Sequence, residues 1–259
     1  MTTDRTPLHR WADELETHVS GLDLLGLDRV VVLAETASTQ DAAARHAGGK
    51  PGLLCITGRQ TGGRGRLGRV WLDNKGLGVA MTLALRTDAV DARLPLAAGF
   101  AVAEAIATPE LTHRIGLRWP NDVVDRVTGK KIAGILIEQK DGLTLLGMGI
   151  NTHQSETDWT EAGLTTGVSL AEIGLDVDRL ELASLVLTQL NGALGEEPES
   201  LAKKWHTRDT LTGTWQRFEH NGRRYEGIVE SIAPSSTLVV RTTMGLARLP
   251  ALTTSMVHD

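Results

Sequence analysis

Between residues 115 and 150 the chain passes through four short extended stretches, 115–119, 122–125, 131–139 and 144–150, separated by Pro120-Asn121, Thr128-Gly129 and Asp141-Gly142. Links this short join neighbouring strands that run in opposite directions, so the middle of the chain is expected to be a meander of hairpins. Valine-rich residues 29–34, then 52–57 and 77–85, read as further buried strands. Helices are expected where Leu8, Trp11, Leu15 and Val19 recur at helical spacing, in the alanine-rich run 96–107 behind Pro95, and at 178–194 and 199–205. Ser38, with Asp41 three residues on, resembles a capping box opening a short helix at Ala42, Ala43 and Ala44. The class is α+β. Strand-and-turn spacing returns near the end, with Asn221-Gly222 and Met244-Gly245 as tight turns, so the 259 residues divide into a large unit, 1–208, and a small barrel, 209–259.

Apolar runs such as 79–85 fall far short of the roughly 20 residues a membrane span needs, so no membrane partner is expected. The polar opening lacks the apolar core of a secretory signal, and the lone Cys55 can make neither an internal disulfide nor a cysteine-based metal cage. A cytoplasmic protein is expected. The eight histidines show no HxxxH or HExxH spacing, which argues against zinc. Lys and Arg number 27 against 32 Asp and Glu, a net charge of -5, so the field of the whole molecule does not draw nucleic acid. Fewer than 30 residues precede the first core strand. A winged helix-turn-helix needs on the order of 50, so no DNA partner is expected.

The acidic chain nevertheless carries a basic, glycine-rich loop at 59–76, where Arg59, Arg64, Arg66, Arg69 and Lys75 stand against the single acid Asp73. Gly62, Gly63, Gly65 and Gly68 let backbone N–H groups approach a ligand, and guanidinium groups donate in pairs to phosphate or carboxylate oxygens. The chemistry implied is polyanion binding; the bland alternative is a solvated surface loop. Residues 63–68 also match GxGxxG formally, but the dinucleotide fingerprint requires a helix immediately after it, and Asp73, Gly76 and Gly78 interrupt the stretch where that helix would lie. No GxxxxGK[ST] is present.

The stretch from Gln60 through Thr61, Gly62, Gly63, Arg64, Gly65, Arg66, Leu67, Gly68, Arg69 and Val70 to Trp71 resembles the biotin-binding loop of biotin protein ligases. Three further motifs come in that family's order: Arg118-Trp119-Pro120-Asn121-Asp122, then Lys131-Ile132-Ala133-Gly134 with its strand to Glu138, then Gly147-Met148-Gly149-Ile150-Asn151. Upstream, Ser38-Thr39-Gln40 is similar to the family's Ser-Thr-Asn, with Gln40 replacing Asn. The resemblance spans roughly 29–195 and implies a mixed, mostly antiparallel sheet with helices on one face, the class II synthetase-like fold, plus a C-terminal SH3-like barrel. The chain's end lacks the glycine-acid-valine turn often found in that barrel, which puts the tail's role in doubt.

The resemblance implies a two-step reaction in which biotin and ATP give biotinyl-5'-AMP and pyrophosphate, and the biotinyl group then passes to a lysine of a biotin carboxyl carrier domain. Two anions must be brought together, so cations and N–H dipoles are needed where charge gathers at the α-phosphate. It assigns Lys131, Arg66 and Asp122 to catalysis. Ser38, Thr39, Gln40, Gln60, Gly63, Arg64, Gly65, Arg66, Trp71, Lys131 and Gly134 are the implied biotin contacts; Arg66, Arg69, Asn121, Asp122, Lys131, Gly149 and Asn151 are those of ATP or the adenylate. Mg²⁺ is expected mainly on the ATP phosphates, with Asp122 the one protein carboxylate in question. Asp122 serves either the nucleotide and its magnesium or the incoming lysine. Trp119 is given a packing role and Cys55 that of a buried structural thiol. A monomer or weak homodimer is expected. The competing readings are a lipoate or octanoate ligase of the same fold, a nucleic-acid binder using the basic loop, and an inactive homologue that sequesters biotin.

Overall fold

Trp11, Leu15 and Val19 sit one helical turn apart and are all buried, so the first helix docks along that stripe. The structure, a computed structural model, describes residues 4–73, 75–86 and 93–257. Its elements run α1 (Trp11–Val19), β1 (Arg29–Leu33), α2 (Thr39–Ala47), β2 (Leu53–Thr57), β3 (Gln60–Arg64), β4 (Val70–Asp73), β5 (Gly78–Arg86), α3 (Leu94–Ile106), β6 (Ile115–Arg118), β7 (Asp122–Asp125), β8 (Lys131–Lys140), β9 (Leu143–Asn151) and α4 (Glu156–Glu161). They continue with α5 (Arg179–Leu194), α6 (Pro198–Thr207), β10 (Trp215–His220), β11 (Arg223–Ala233), β12 (Thr237–Thr242), β13 (Gly245–Pro250) and β14 (Thr254–Met256).

Among the described residues a seven-stranded sheet has the order β1-β2-β5-β9-β8-β7-β6. The expected meander is its second half: β6, β7, β8 and β9 pair antiparallel in succession. Only β1 and β2 pair in parallel, because α2 carries the chain between them. Side chains alternate across the pleat, so Leu54, Ile56, Leu83 and Leu146 enter the main core while Leu53, Cys55, Ala84 and Leu145 face the other way. Residues of α3 and α5 fill the main core.

The helices are not confined to one face. α2 packs on the opposite side, with Ala42, Ala43, Ala44 and Ala47 against Leu53, Cys55, Ala84 and Leu145. Alanine adds almost no bulk, so the helix lies close to the strands and brings its N-terminal residues Ser38, Thr39 and Gln40 down onto the sheet. Cys55 is buried there, and burial pushes its thiol up to about 12, away from nucleophile chemistry.

Apart from β3 and β4, which pair with each other, the remaining strands form a separate five-stranded sheet, β13-β12-β11-β10-β14, around Phe218, Val229, Leu238, Val240 and Leu249. It is joined to the large sheet at edge strand β6: Leu117 N–H donates to Arg208 O (2.7 Å) and Thr210 N–H to Leu117 O (3.0 Å). We place the boundary between the two units in this link, at 208/209.

The close seat of α2 gives a stability prediction. Ala43 is fully buried, so Ala43→Leu forces the helix off the sheet and should lower unfolding free energy by about 1–3 kcal/mol. Urea unfolding should show the midpoint falling with the slope unchanged; an unaltered midpoint contradicts the packing described.

Candidate active site

The basic segment is a hairpin, not the open loop expected between two strands. Gly63 pairs with Trp71 and Arg64 with Val70, and a bulge separates Gly63 from the Gln60–Asp73 pair. Val70 and Trp71 favour strand backbone, which outweighs the glycines on the facing side. The chain turns at 66–68, where exposed Leu67 takes a positive φ of 55°. Trp71 then lies over the sheet at Gly149. A Cβ on Gly149 would sit 2.5 Å from its ring, so glycine is required beneath it.

Ser38 precedes α2 as expected, but its side chain makes no cap hydrogen bond. The capping box fails because Asp41 is drawn outward to Arg64 (2.5 Å) and Lys140 (3.1 Å). Gln60 serves the helix instead. Its Oε1 accepts from Thr39 N–H (2.8 Å) and Thr39 Oγ1 (3.1 Å), and Thr82 Oγ1 donates to Thr39 Oγ1 (2.9 Å). Gln40 Nε2 donates to Leu136 O (3.0 Å), while its buried Oε1 has no hydrogen-bond partner. Ser38, Thr39, Gln40 and Gln60 line a narrow cavity of about 40 Å³ with Trp71, Lys131, Gly134 and Gly149.

A second cavity, of about 560 Å³, opens on the other side of Lys131 and is lined by Arg66, Arg69, Arg118, Asn121, Asp122 and Asn151 among others. Gly65, Trp71, Asn121 and Lys131 border both. Lys131 Nζ meets Asp122 Oδ1 at 2.6 Å and stands 5.5 Å from the Trp71 ring centre. Arg118 holds the other oxygen of Asp122 at 3.1 Å. Burial alone would raise the Asp122 carboxyl, but Lys131 and Arg118 outweigh it and hold the group below its usual range. Arg66 donates to Asn121 Oδ1 (3.3 Å), to Ala251 O and to Thr254 O (3.4 Å), and burial lowers its affinity for its proton. Arg69 donates to Met256 O (3.3 Å).

Not every expected residue reaches ligand space in the expected way. Arg64 borders the small cavity, but its guanidinium is held by Asp41 and by Glu138 (3.3 Å). The hydrogen bond from Arg64 depresses the Asp41 carboxyl to about 2. Gly149, expected on the nucleotide, lines the small cavity and not the broad one. Gly63 is a packing position: a Cβ there would meet Gln60 Nε2 at 2.4 Å. Asn151 donates its amide to Lys131 O (3.0 Å) and Val168 O (3.2 Å), fixing the strand that bears Lys131. Trp119 is buried, as its packing role requires. Three features escaped the sequence reading: Arg118 as partner of Asp122, the wall formed by Trp159, Ala162, Leu164 and Gly167, and Ser255 with Met256 from the small sheet. Only Arg118 had a signal, since it stands four residues before Asp122 within the same motif.

A model described as the Biotin/lipoate A/B protein ligase family matches residues 32–155. Biotin--[acetyl-CoA-carboxylase] ligase of Mycobacterium tuberculosis is 33% identical over 223 residues, covering 80% of this chain and 81% of that protein. The bifunctional ligase/repressor BirA of Escherichia coli is 31% identical over 206 residues; the match takes in 74% of this chain and 62% of the relative. Among solved structures, biotin protein ligase from Aquifex aeolicus in complex with biotin and ATP is 27% identical, with a TM-score of 0.76 over 89% of this chain and 99% of that one. The small, tightly lined polar cavity, the larger basic one and the lysine between them thus sit on a fold shared with these enzymes, and the chain belongs to the biotin/lipoate A/B protein ligase family.

Proposed function

We propose that the protein is an ATP-dependent biotin ligase that forms biotinyl-5'-AMP and transfers the biotinyl group to a lysine of a biotin carboxyl carrier domain. The observation that carries this is the pair of cavities meeting at Lys131. One is narrow and lined by hydrogen-bonding groups suited to a neutral ureido head, and the other is broad and carries Arg66, Arg69 and Arg118. A carboxylate emerging from the first meets an α-phosphate in the second beside the lysine ammonium. The names of the relatives support biotin as the acid and an acetyl-CoA carboxylase subunit as the acceptor.

In the first step a biotin carboxylate oxygen bonds to the α-phosphorus while the bond to the bridging oxygen breaks and pyrophosphate leaves with the electron pair. Lys131 and Arg66 are placed to offset the charge that accumulates. In the second step a neutral acceptor amine attacks the acyl carbon, the bond from that carbon to the phosphate oxygen breaks, AMP departs with the electron pair, and the proton lost from nitrogen passes to solvent. A carboxylate held below its ordinary range is a weak base, so we assign Asp122 to aligning Lys131 and not to taking the amine's proton. Magnesium, when bound, neutralises the departing pyrophosphate. Both Asp122 oxygens are engaged, and among the described residues no group of three or more His, Cys, Asp or Glu is placed to hold a metal. We therefore assign the ion to the phosphates and water.

The direct test is incubation with biotin, ATP, magnesium and a carrier domain, with mass spectrometry of the carrier lysine. Biotin-dependent pyrophosphate exchange supports the reading; exchange supported by lipoate or octanoate and not by biotin replaces it with the lipoate alternative. Lys131→Ala should lower adenylation kcat/KM by about 100- to 1,000-fold, measured by that exchange. Arg66→Gly should still form the adenylate but release it early, because the side chain that bridges Asn121 and the tail is gone; undiminished retention on a desalting column would count against this. Residues 62–70 should gain amide-exchange protection when biotin and ATP are added, since a mixed anhydride must be kept from water. Equal exchange in both states would refute closure of the hairpin.

A further inference from the structure

The hairpin that carries Gln60, Arg64, Arg66 and Trp71 stands on two legs, Gly58 on the way in and residues 76–78 on the way out. The legs pass in contact: a Cβ on Gly76, whose φ is +66°, would lie 2.6 Å from Gly58 O. One side chain binds both. Arg179, the first residue of α5, donates from Nη1 to Gly58 O (2.9 Å) and to Gly78 O (3.1 Å). That nitrogen carries two N–H groups in a fixed plane, so each carbonyl takes one and the guanidinium sets the distance between the legs.

Arg179 is 4% exposed, and a guanidinium so far from water needs a carboxylate beside it. Asp4 supplies one. Nε donates to Asp4 Oδ1 (3.0 Å) and Nη2 to Asp4 Oδ2 (2.5 Å), the paired geometry that fixes a guanidinium in direction as well as in place. The Trp11 ring centre lies 5.2 Å from Cζ. Asp4 is held in turn, since the next backbone N–H, that of Arg5, donates to Asp178 Oδ2 (2.6 Å), and the other Asp178 oxygen caps α5. Leu8 of the same segment packs on the entering leg, where a Cβ on Gly58 would lie 2.8 Å from its Cδ2. Neither Asp4 nor Arg179 lines the narrow cavity or the broad one.

We infer that Arg179 is a positioning residue for the hairpin and that Asp4 acts through it, so that the segment ahead of α1 sets the geometry of a site it does not touch. Gln60 lies two residues beyond Gly58 and holds Thr39 by two hydrogen bonds, so a change in the spacing of the legs reaches the narrow cavity directly. Arg66 and Trp71 lie further along the same hairpin. Clamped legs keep their register while the tip closes, which confines the hinge to a few residues. The effect on ligands rests on the biotin ligase reading above; the clamp itself does not.

The first measurement needs no ligand. Amide exchange of the free protein is followed, well below the Tm of every variant, at Thr61 and Gly62, whose N–H groups donate to Thr36 O (3.0 Å) and Ala37 O (2.7 Å), and at Gly78. Asp4→Asn removes the counter-charge and Arg179→Lys removes the fork, while each keeps a polar group in place. Both should speed exchange at the legs about 10-fold, the loss expected of one charge-assisted hydrogen bond. Leu201→Ala, at a buried position of α6, lowers stability elsewhere and should leave the legs at the parent rate. The second measurement adds biotin and ATP. Both clamp variants should raise the biotin KM and shorten adenylate retention about 5- to 10-fold, with kcat for pyrophosphate exchange within about twofold of the parent, and the Leu201 variant should change none of these. Legs that exchange at the parent rate in both clamp variants overturn the inference, as does loosening matched by the Leu201 variant, or loosened legs with an unchanged biotin KM. Loosened legs in a protein whose unmutated form makes no adenylate would sink the biotin reading and leave the clamp standing.

Discussion

The contact between Lys131 Nζ and Asp122 Oδ1 is the constraint on which the site depends, and the sheet is built to hold it. β7 and β8 pair Asp122 with Gly134, and the register slips between Val123 and Val124, so Lys131 folds back beside the residue three positions after it. A Cβ at Gly134 would lie 2.7 Å from the ammonium, so this glycine makes the room. The lysine's backbone is pinned from outside: its N–H donates to Thr166 O (2.7 Å), and its carbonyl accepts from Val168 N–H (3.0 Å) and from Asn151. With Arg118 included, two cations share one carboxylate. A partly buried cluster with surplus positive charge is costly to keep from water unless an anion completes it. A free carboxylate and the α-phosphate it attacks, or the phosphate of the acyl adenylate they form, have that complementary charge.

In the proposed function, recognition of the uncharged head would rest on orientation instead of charge. The Thr82, Thr39 and Gln60 side chains form a hydrogen-bonded chain ending on the first N–H of α2, so the groups lining the small cavity are oriented before any ligand arrives. The helix is near enough to take part only because its buried face is alanine. Within this satisfied network the Oε1 of Gln40 is the exception, a buried acceptor with no donor. An N–H on a ligand would supply the missing donor, whereas a purely apolar head would leave the oxygen unmatched.

Much of this was legible in the sequence, and the reason is local chemistry. Turn dipeptides marked the antiparallel run from β6 to β9, helical spacing marked α1, α5 and α6, and an alanine-rich run behind Pro95 marked α3, because these signals act within a few residues. The motif order brought Asp122 and Lys131 together across a short turn, and the side chains do meet. What stayed hidden depends on pairings distant along the chain. Nothing near Asp41 announces that Arg64 and Lys140 will draw it from the helix cap. Nothing in an alanine run says which face of the sheet it will cover. The pairing of β3 with β4 was obscured by glycines that suit a loop equally well.

The arginines show most plainly why motif membership does not fix a role. Arg64 and Arg66 are two residues apart on one hairpin, and both were expected to serve the ligand. Arg64 is neutralised by Asp41 and Glu138, so an arriving anion would have to compete with carboxylates already in place. Arg66 is turned into the interior and held by neutral acceptors: the Asn121 side chain and the carbonyls of Ala251 and Thr254. Those bonds satisfy its N–H groups without cancelling its charge. Asp122 is the nearby carboxylate that offsets it electrostatically, and that carboxylate is already committed to Lys131 and Arg118. Arg66 therefore retains a charge that is only partly compensated in a partly dry place, the condition under which a phosphate gains most from meeting it. The acceptors that create this condition come largely from residues 251 and 254, in the stretch whose motif is least like the family's. The small sheet contributes to the site through its backbone, and carbonyl oxygens leave no mark in a sequence.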